Sequence, residues 1–318
     1  MAYSLDRDKL EREYTLRLPL LTSLEQEAVH EIEVALAREK LKVHSILSRV
    51  KTITSLSDKA EAKELDDPLT KLTDIVGIRI VALFLGDIER IVALLQRTFD
   101  VQHIDNKIED GDLARFGYLS VHLLAKIKDS FAGTRYDSIK PLVFEIQIRT
   151  IAMDAWASAS HYLDYKSEED IPRDLKRDFH ALSGLFYVAD KHFEMFFRTR
   201  QAAVKEVHVL SKTKNFLDEE INLDTLSAYL SRKYPDREDG GSAFVSQLVT
   251  SLRDRGIKTL EALDTALKEK ADYFAKLEAR SYPNKRGKFS RVGVVRMSFA
   301  NDPLFEHNLT RPELPNFQ

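Results

Sequence analysis

The sequence predicts an α+β fold, in which a mixed β-sheet is flanked by helices and a helical C-terminal region follows. Short apolar runs with the period-two pattern of strands occur at 42–50, 77–84, 117–126 and 142–149, separated by helical or loop segments. Such an alternation is typical of one sheet with helices packed on it. Beyond residue 210 the pattern changes to short helical segments with explicit stop signals, which predicts a separate helical region.

Length and composition limit the possible classes of protein. A chain of 318 residues is long enough for about two domains with real hydrophobic cores. The 48 basic and 51 acidic side chains give a net charge of −3, so any contact with nucleic acid must depend on a local basic patch. Cysteine is absent, which excludes disulfides, thiol nucleophiles and cysteine-ligated metal sites.

The pattern divides the chain into three parts. Residues 1–40 have apolar positions at helical spacing and are predicted to pack as N-terminal helices on the central domain, residues 41–209. Residues 210–318 form the helical C-terminal region, in which 282–299 is predicted to be a final strand. No run approaches the ~18 apolar residues of a membrane span, so the expectation is a cytoplasmic protein without a membrane partner.

Several helix limits can also be predicted. Asp87 is expected to cap a helix whose buried stripe ends at Phe99, and a further helix should begin near Thr150. A longer helix is predicted from about Pro172 to Val209. The single tryptophan, Trp156, and the C-terminal caps have ordinary structural interpretations: Trp156 as a core residue, and Asn222 and Thr259 as helix caps.

Polar side chains share one face of the predicted sheet. In each apolar run, alternation places the polar residues opposite the core-facing ones. They are Arg49 and Lys51, then Arg79, then Tyr118, Ser120 and His122, then Glu145, Gln147 and Arg149. A single polar face is ordinary in antiparallel sheets. This set, however, contains the cations, planar groups and carboxylates that suit a polyphosphate and a base.

Two carboxylates, Asp74 and Glu145, are candidate ligands for Mg²⁺, which usually takes one or two carboxylates plus substrate phosphates. Each also has a simpler interpretation, because Asp74 could cap a turn and Glu145 could pair with Arg149. Neither GxxxxGK[ST] nor GxGxxG occurs, which argues against a P-loop or a Rossmann domain. A zinc site at His122, Glu145 and His161 is disfavoured because the close ligand spacing of zinc motifs is missing.

The motifs resemble those of the RelA/SpoT-type alarmone synthetases over residues 40–200. They comprise Arg49-Val50-Lys51-Thr52 with Ser55 and Lys59, Asp74-Ile75-Val76-Gly77-Ile78-Arg79, Gly117-Tyr118 with Ser120 and His122, and Glu145-Ile146-Gln147-Ile148-Arg149-Thr150 leading to His161 and Lys166. The resemblance implies a nucleotidyltransferase-like synthetase fold and membership of the small, synthetase-only branch. It also implies transfer of pyrophosphate from ATP to the 3′-hydroxyl of GDP or GTP, with Mg²⁺ as cofactor.

The resemblance further implies individual roles. Arg49 and Arg79 would sandwich the adenine, and Tyr118 would stack on the acceptor guanine. Asp74 and Glu145 would be catalytic and bind the metal. The remaining assignments are Lys51, Ser55 and Lys59 to the triphosphate of ATP, and Ser120, His122, Gln147, Arg149, His161 and Lys166 to the acceptor side.

Some features of the sequence do not determine the identity of the acceptor or the role of the C-terminal region. Leu119 and the segment 110–117 depart from the family's usual pattern before and around Tyr118. The alternatives are therefore a toxic synthetase that modifies the tRNA 3′ end or makes adenosine alarmones, with residues 210–318 as a neutralising element. An inactive nucleotide- or RNA-binding module is a further alternative, and the C-terminal region could instead regulate the synthetase or form homo-oligomers. No His-Asp pair marks an alarmone hydrolase domain.

Overall fold

The computed structural model describes residues 5–106, 108, 120–162, 172–283 and 287–301. The chain forms two compact units, Met1–Phe197 and Arg198–Gln318. The boundaries predicted at residues 40 and 209 stay predictions.

The first unit contains a mixed sheet, as the sequence predicts, but the sheet has five strands, of which the apolar runs predict four. The strands are β1 (Val43–Val50), β2 (Val76–Ala82), β3 (Asp100–Asn106), β4 (Val121–Lys126) and β5 (Phe144–Thr150). Strands β2 and β5 are parallel, and the other neighbours in the order β1-β2-β5-β4-β3 are antiparallel. Alternate apolar residues of the central strands, such as Ile78, Leu123 and Ile146, are buried, so the polar residues between them face the other side.

Five helices of the described residues lie wholly within this unit: α1 (Arg7–Arg38), α2 (Ile53–Ala62), α3 (Pro68–Lys71), α4 (Leu85–Thr98) and α5 (Ile151–Tyr162). Of these, α1 and α4 pack on the apolar side of the sheet. The N-terminal helix α1 buries a stripe that includes Leu21, Leu24, Ala28 and Ile32, and it contacts β1, β2 and α4. Trp156 of α5 is 4% exposed and packs against Phe179 and Phe186, which confirms its predicted core position.

The start of α4 differs from the prediction. Phe84, not Asp87, occupies the N-cap position, and Asp87 lies inside the first turn. Asp87 is buried and its Oδ1 accepts from Nη1 of Arg90 at 2.9 Å, so it serves that ion pair instead of capping the helix. The buried stripe that ends at Phe99 is confirmed.

Helix α6 (Arg173–Leu210) confirms the predicted long helix, and the division between the two units falls within it. No helix in the described part of the chain combines the length and the apolar character that a membrane span requires.

The second unit is helical and has its own core, which includes Phe216, Leu226, Leu248 and Leu263. After a 3₁₀ turn at Lys214–Asp218 come α7 (Leu223–Lys233), α8 (Ser242–Asp254), α9 (Leu260–Glu269), α10 (Ala271–Ser281) and α11 (Arg291–Ser298). The predicted caps of α7 and α9 are confirmed, because the Asn222 side chain accepts from the Thr225 N–H and the Thr259 side chain accepts from the Ala262 N–H.

The strand predicted within 282–299 is wrong, because residues 291–298 form α11. Ser290 caps this helix by accepting from the Gly293 N–H at 3.1 Å. Val292, Val295 and Phe299 then follow at helical spacing and enter the core of the unit. Burial of this stripe overrides the strand preference of the valines.

Candidate functional site

A polar pocket of about 210 Å³ opens on the side of the sheet opposite α1 and α4. Three neighbouring strands line it: Leu47, Ser48 and Arg49 from β1, Gly77, Ile78 and Arg79 from β2 with Asp74 just before it, and Glu145 and Gln147 from β5. In the register, Gly77 is paired with Arg49 on one side and with Glu145 on the other. A glycine between them leaves the space between a cation and a carboxylate free, since a Cβ built there meets no atom within 4 Å.

Asp74 carries two lysines. Its Oδ2 accepts from Nζ of Lys51 at 2.8 Å and from Nζ of Lys59 at 2.5 Å. Burial works toward a higher pKa of this carboxyl, but the hydrogen bonds and charges of the two lysines outweigh it and lower the pKa of Asp74. Asp74 is therefore ionised at neutral pH, and both lysines are held at the pocket.

Glu145 is held at both oxygens. Oε1 lies 2.9 Å from Nδ1 of His122, and Oε2 accepts from Nε2 of Gln147 at 3.0 Å. Because a carboxylate can only accept, Nδ1 of His122 is the donor, which leaves Nε2 to accept from Ser120 Oγ at 2.6 Å. The result is a hydrogen-bonded line Ser120–His122–Glu145 across β4 and β5.

The charge state of Glu145 follows from these contacts. Burial and the charge of Asp74 work toward a higher pKa of Glu145, whereas the hydrogen bonds from His122 and Gln147 lower it. The net effect lowers the pKa of Glu145, so the side chain is a carboxylate at neutral pH. Two ionised carboxylates thus face one pocket.

The polar line continues from Glu145 toward α5. Gln147 Oε1 accepts from Nη2 of Arg149 at 3.2 Å, and Nη1 of Arg149 lies 3.7 Å from Oδ1 of Asp154. The same oxygen lies 3.1 Å from Nη1 of Arg79. Burial, followed by the charge of Arg79, lowers the pKa of Arg149 despite the opposing charge of Asp154.

The structure brings together most of the residues that the sequence singles out. The described members that gather at the polar face are Arg49, Lys51, Lys59, Asp74, Arg79, Ser120, His122, Glu145, Gln147 and Arg149. Ser55 is exposed in the first turn of α2, where its hydroxyl accepts from Oγ1 of Thr52 at 3.1 Å. His161 is exposed near the end of α5 and is not among the residues that line the pocket. Tyr118 and Lys166 lie outside the described residues.

Asp154 is a further site residue, which the alternation of the predicted strands does not identify. Its position in the first turn of α5 resembles an ordinary helix start, where an acidic side chain suits the helix dipole. The available signal is its place four residues after Thr150, the last residue of a strand that bears Arg149.

Comparisons with known proteins agree with the motifs. Residues 48–170 match the family model described as the region found in RelA / SpoT proteins. The GTP pyrophosphokinase YwaC of Bacillus subtilis (strain 168) is 31% identical over 148 residues, which cover 45% of this chain and 69% of YwaC. The GTP pyrophosphokinase YjbM of the same organism is 30% identical over 136 residues, covering 42% of this chain and 62% of YjbM.

Solved structures similar to this chain include small alarmone synthetase 1 from Bacillus subtilis, with 27% identity and a TM-score of 0.49, covering 61% of this chain and 99% of that one. A GTP pyrophosphokinase family protein from Streptococcus pneumoniae has 22% identity and a TM-score of 0.49, covering 61% of this chain and 96% of that one. The 31% identity to YwaC extends over more than two thirds of the length of YwaC, which is sufficient to assign this chain to a family. This chain belongs to the RelA/SpoT family.

Proposed function

We propose that this protein transfers pyrophosphate from ATP to the 3′-hydroxyl of GDP or GTP. The observation that carries the proposal is the pocket in which Arg49 and Arg79 lie on the same sheet face as the carboxylates Asp74 and Glu145. Both relatives, YwaC and YjbM, are named GTP pyrophosphokinases, which supports the same reaction here. The acceptor oxygen would attack the β-phosphorus of ATP, the bond between the α-phosphate and the β-phosphorus would break, and AMP would leave.

The donor nucleotide would use the cations of the pocket. Arg49 and Arg79 are candidates to hold the adenine between two guanidinium planes, a contact that a lysine cannot make. Lys51 and Lys59 converge on Asp74 and are the nearest candidates for the phosphates. Transfer of a phosphoryl-type group depends mainly on positioning and charge neutralisation, which a pocket lined by cations provides. Ser55 is a weaker candidate because its side chain is exposed beyond the pocket lining.

The donor set fits a magnesium ion. Asp74 and Glu145 offer carboxylate oxygens, the ligands that Mg²⁺ prefers, and substrate phosphates usually complete its shell. The repulsion between the two carboxylates, which acts toward a higher pKa of Glu145, is the charge arrangement that a cation relieves. Within the described residues no three His, Asp or Glu side chains gather as metal ligands, so the two carboxylates would be the protein's share. A bound Mg²⁺ would neutralise charge on the transferred group.

Glu145 is the candidate base for the acceptor hydroxyl. It is ionised at neutral pH, and two hydrogen bonds fix its orientation. A base that is already held in one orientation needs no further ordering before it removes a proton from a correctly placed hydroxyl. This lowers the entropic cost of the reaction. Ser120, His122, Gln147 and Arg149 extend from it along the face where the acceptor would lie.

Incubation of the purified full chain with Mg²⁺ and ATP labelled on its terminal phosphate tests the proposal. GDP, GTP, adenine nucleotides and tRNA are offered in parallel, and label on GDP or GTP is expected. Glu145→Gln should abolish transfer with little change in the thermal midpoint. Glu61→Gln, which weakens the exposed pair with Arg7, is the matched control and should keep full activity.

Each other outcome selects a different function. Label on tRNA alone would make the protein a translation toxin, and label on adenine nucleotides alone would make it a synthetase of adenosine alarmones. No transfer to any acceptor would contradict the proposal and leave a nucleotide- or RNA-binding module.

A further inference from the structure

Two arginines and one aspartate form a bridge beside the pocket. The Oδ1 atom of Asp154 lies 3.1 Å from Nη1 of Arg79 and 3.7 Å from Nη1 of Arg149. Arg79, on β2, lines the pocket. Arg149, near the end of β5, donates a hydrogen bond to Gln147. The first turn of α5 therefore supplies one carboxylate oxygen to two guanidinium groups.

The bridge offsets a repulsion. The positive charge of Arg79 is among the causes that lower the pKa of Arg149, and the charge of Asp154 opposes it. Both arginine side chains are largely shielded from water, with exposed fractions of 34% and 15%, so solvent weakens their repulsion only in part. Without Asp154, the electrostatic repulsion between the two arginines would turn the more exposed guanidinium, that of Arg79, away from Arg149.

Two buried polar atoms of the bridge make no hydrogen bond within the described part of the chain. Among the described residues, the buried atoms Nε of Arg79 and Oδ1 of Asp154 have no hydrogen-bond partner, although the two charges are close. The contact thus restrains the guanidinium of Arg79 by charge and not by a hydrogen bond. Most buried donors in folded proteins are hydrogen-bonded, so this pair differs from an ordinary structural ion pair.

We infer that Asp154 is a positioning residue that holds the guanidinium of Arg79 in the plane that receives the base of the donor nucleotide. The inference rests on the proposed function in one respect, that ATP binds at this pocket. Asp154 does not touch the nucleotide and acts only through Arg79. Its removal should therefore weaken ATP binding without changing the chemistry at Glu145.

Calorimetric titration of the full chain with the non-hydrolysable analogue AMPCPP in the presence of Mg²⁺ tests the inference. Asp154→Ala is expected to weaken binding about tenfold, as Arg79 loses its fixed orientation. Asp154→Asn, which keeps an oxygen but loses the charge, should have a smaller effect. Glu27→Ala removes the 2.7 Å pair with Arg135 outside the pocket and should leave the affinity unchanged.

The double variant decides between positioning and general stability. If Asp154 acts through Arg79, adding Asp154→Ala to Arg79→Ala should change the affinity less than twofold. In steady-state transfer, Asp154→Ala should raise the KM for ATP about tenfold while kcat changes little. An unchanged affinity in Asp154→Ala, or an equal loss in both backgrounds, would overturn the inference and leave the proposed function intact. Failure of the unmodified chain to bind AMPCPP would overturn both.

Discussion

His122 and Glu145 lie on neighbouring strands, and the Nδ1 atom of the imidazole is 2.9 Å from Oε1 of the carboxylate. This bond places the proton of the His122 ring on Nδ1, because the carboxylate can only accept a hydrogen bond. Ser120 then donates to the opposite ring nitrogen at 2.6 Å. The orientation of Glu145 is therefore determined by a side chain on another strand, which is the basis of the first prediction.

His122→Ala should lower kcat about 10–100-fold, because Glu145 loses the donor that orients one of its oxygens. The thermal midpoint should change little, since His122 is partly exposed and lies outside the apolar core. Steady-state transfer from ATP to GDP measures the effect. His103→Ala, at an exposed position on β3, is the control and should behave as the unmodified protein. Equal kcat values for the two variants would refute the orienting role.

Thr150→Val should destabilise the first unit by about 2 kcal/mol, the typical cost of removing a buried hydrogen bond to a charged group. The Thr150 hydroxyl, fully buried, donates to Asp190 of α6 and accepts from the Met153 N–H at 3.1 Å. Valine keeps the volume but removes both bonds. Thr150→Ser keeps the hydroxyl and should be destabilised less. Urea unfolding followed by Trp156 fluorescence compares them, and equal midpoints would contradict the prediction.

Much of the sheet follows from the sequence because burial on one face imposes a clear alternation on β4, β5 and the first half of β2. The apolar residues of the edge strand β1 are only half-buried or exposed. The strand β3 gives no such signal. It is an edge strand that pairs only with β4, it contains the charged or polar residues Asp100, His103 and Asp105, and its register shifts between Val101 and His103. An exposed, irregular edge needs no apolar alternation, so periodicity alone does not reveal it.

The sequence predicts which residues belong to the candidate site better than it predicts which of them contact each other. Alternation places Glu145, Gln147 and Arg149 on one face, but it cannot show that Glu145 pairs with His122 on another strand. The convergence of Lys51 and Lys59 on Asp74 likewise depends on how α2 packs beside β2. Register and helix packing are properties of the folded chain, and a single sequence expresses them only indirectly.

Glu278→Gln should destabilise the second unit by about 2 kcal/mol near neutral pH, through loss of a charge-assisted bidentate pair. The Glu278 carboxylate accepts from Nη1 and Nη2 of Arg237 at 2.5 and 2.8 Å and from the Phe289 N–H at 3.1 Å. The hydrogen bond from Arg237 is the largest of the causes that lower the pKa of Glu278 in the folded protein. The stabilisation is present above the unfolded value and is lost as the pH falls through the folded value.

The difference in thermal midpoint between Glu278→Gln and the unmodified protein should therefore be full at about pH 7 and shrink below about pH 4, the range of an ordinary glutamate. Differential scanning calorimetry at several pH values measures it. Asp236→Asn, at an exposed position in the same unit, should show no such dependence. A difference for Glu278→Gln that stays constant down to about pH 3 would mean that the charge of Glu278 contributes nothing.

Arg49→Lys should raise the KM for ATP about tenfold while stability stays unchanged, because lysine keeps the charge but loses the planar group that stacks on a base. Arg49 is exposed on β1 and lines the pocket across Gly77 from Glu145, so no core packing depends on it. Arg135→Lys, at an exposed arginine paired with Glu27, is the matched control and should leave the KM unchanged. If Arg49→Lys leaves the KM for ATP unchanged while Arg49→Ala raises it, the contribution of Arg49 is its charge alone, and the base must be held elsewhere in the pocket.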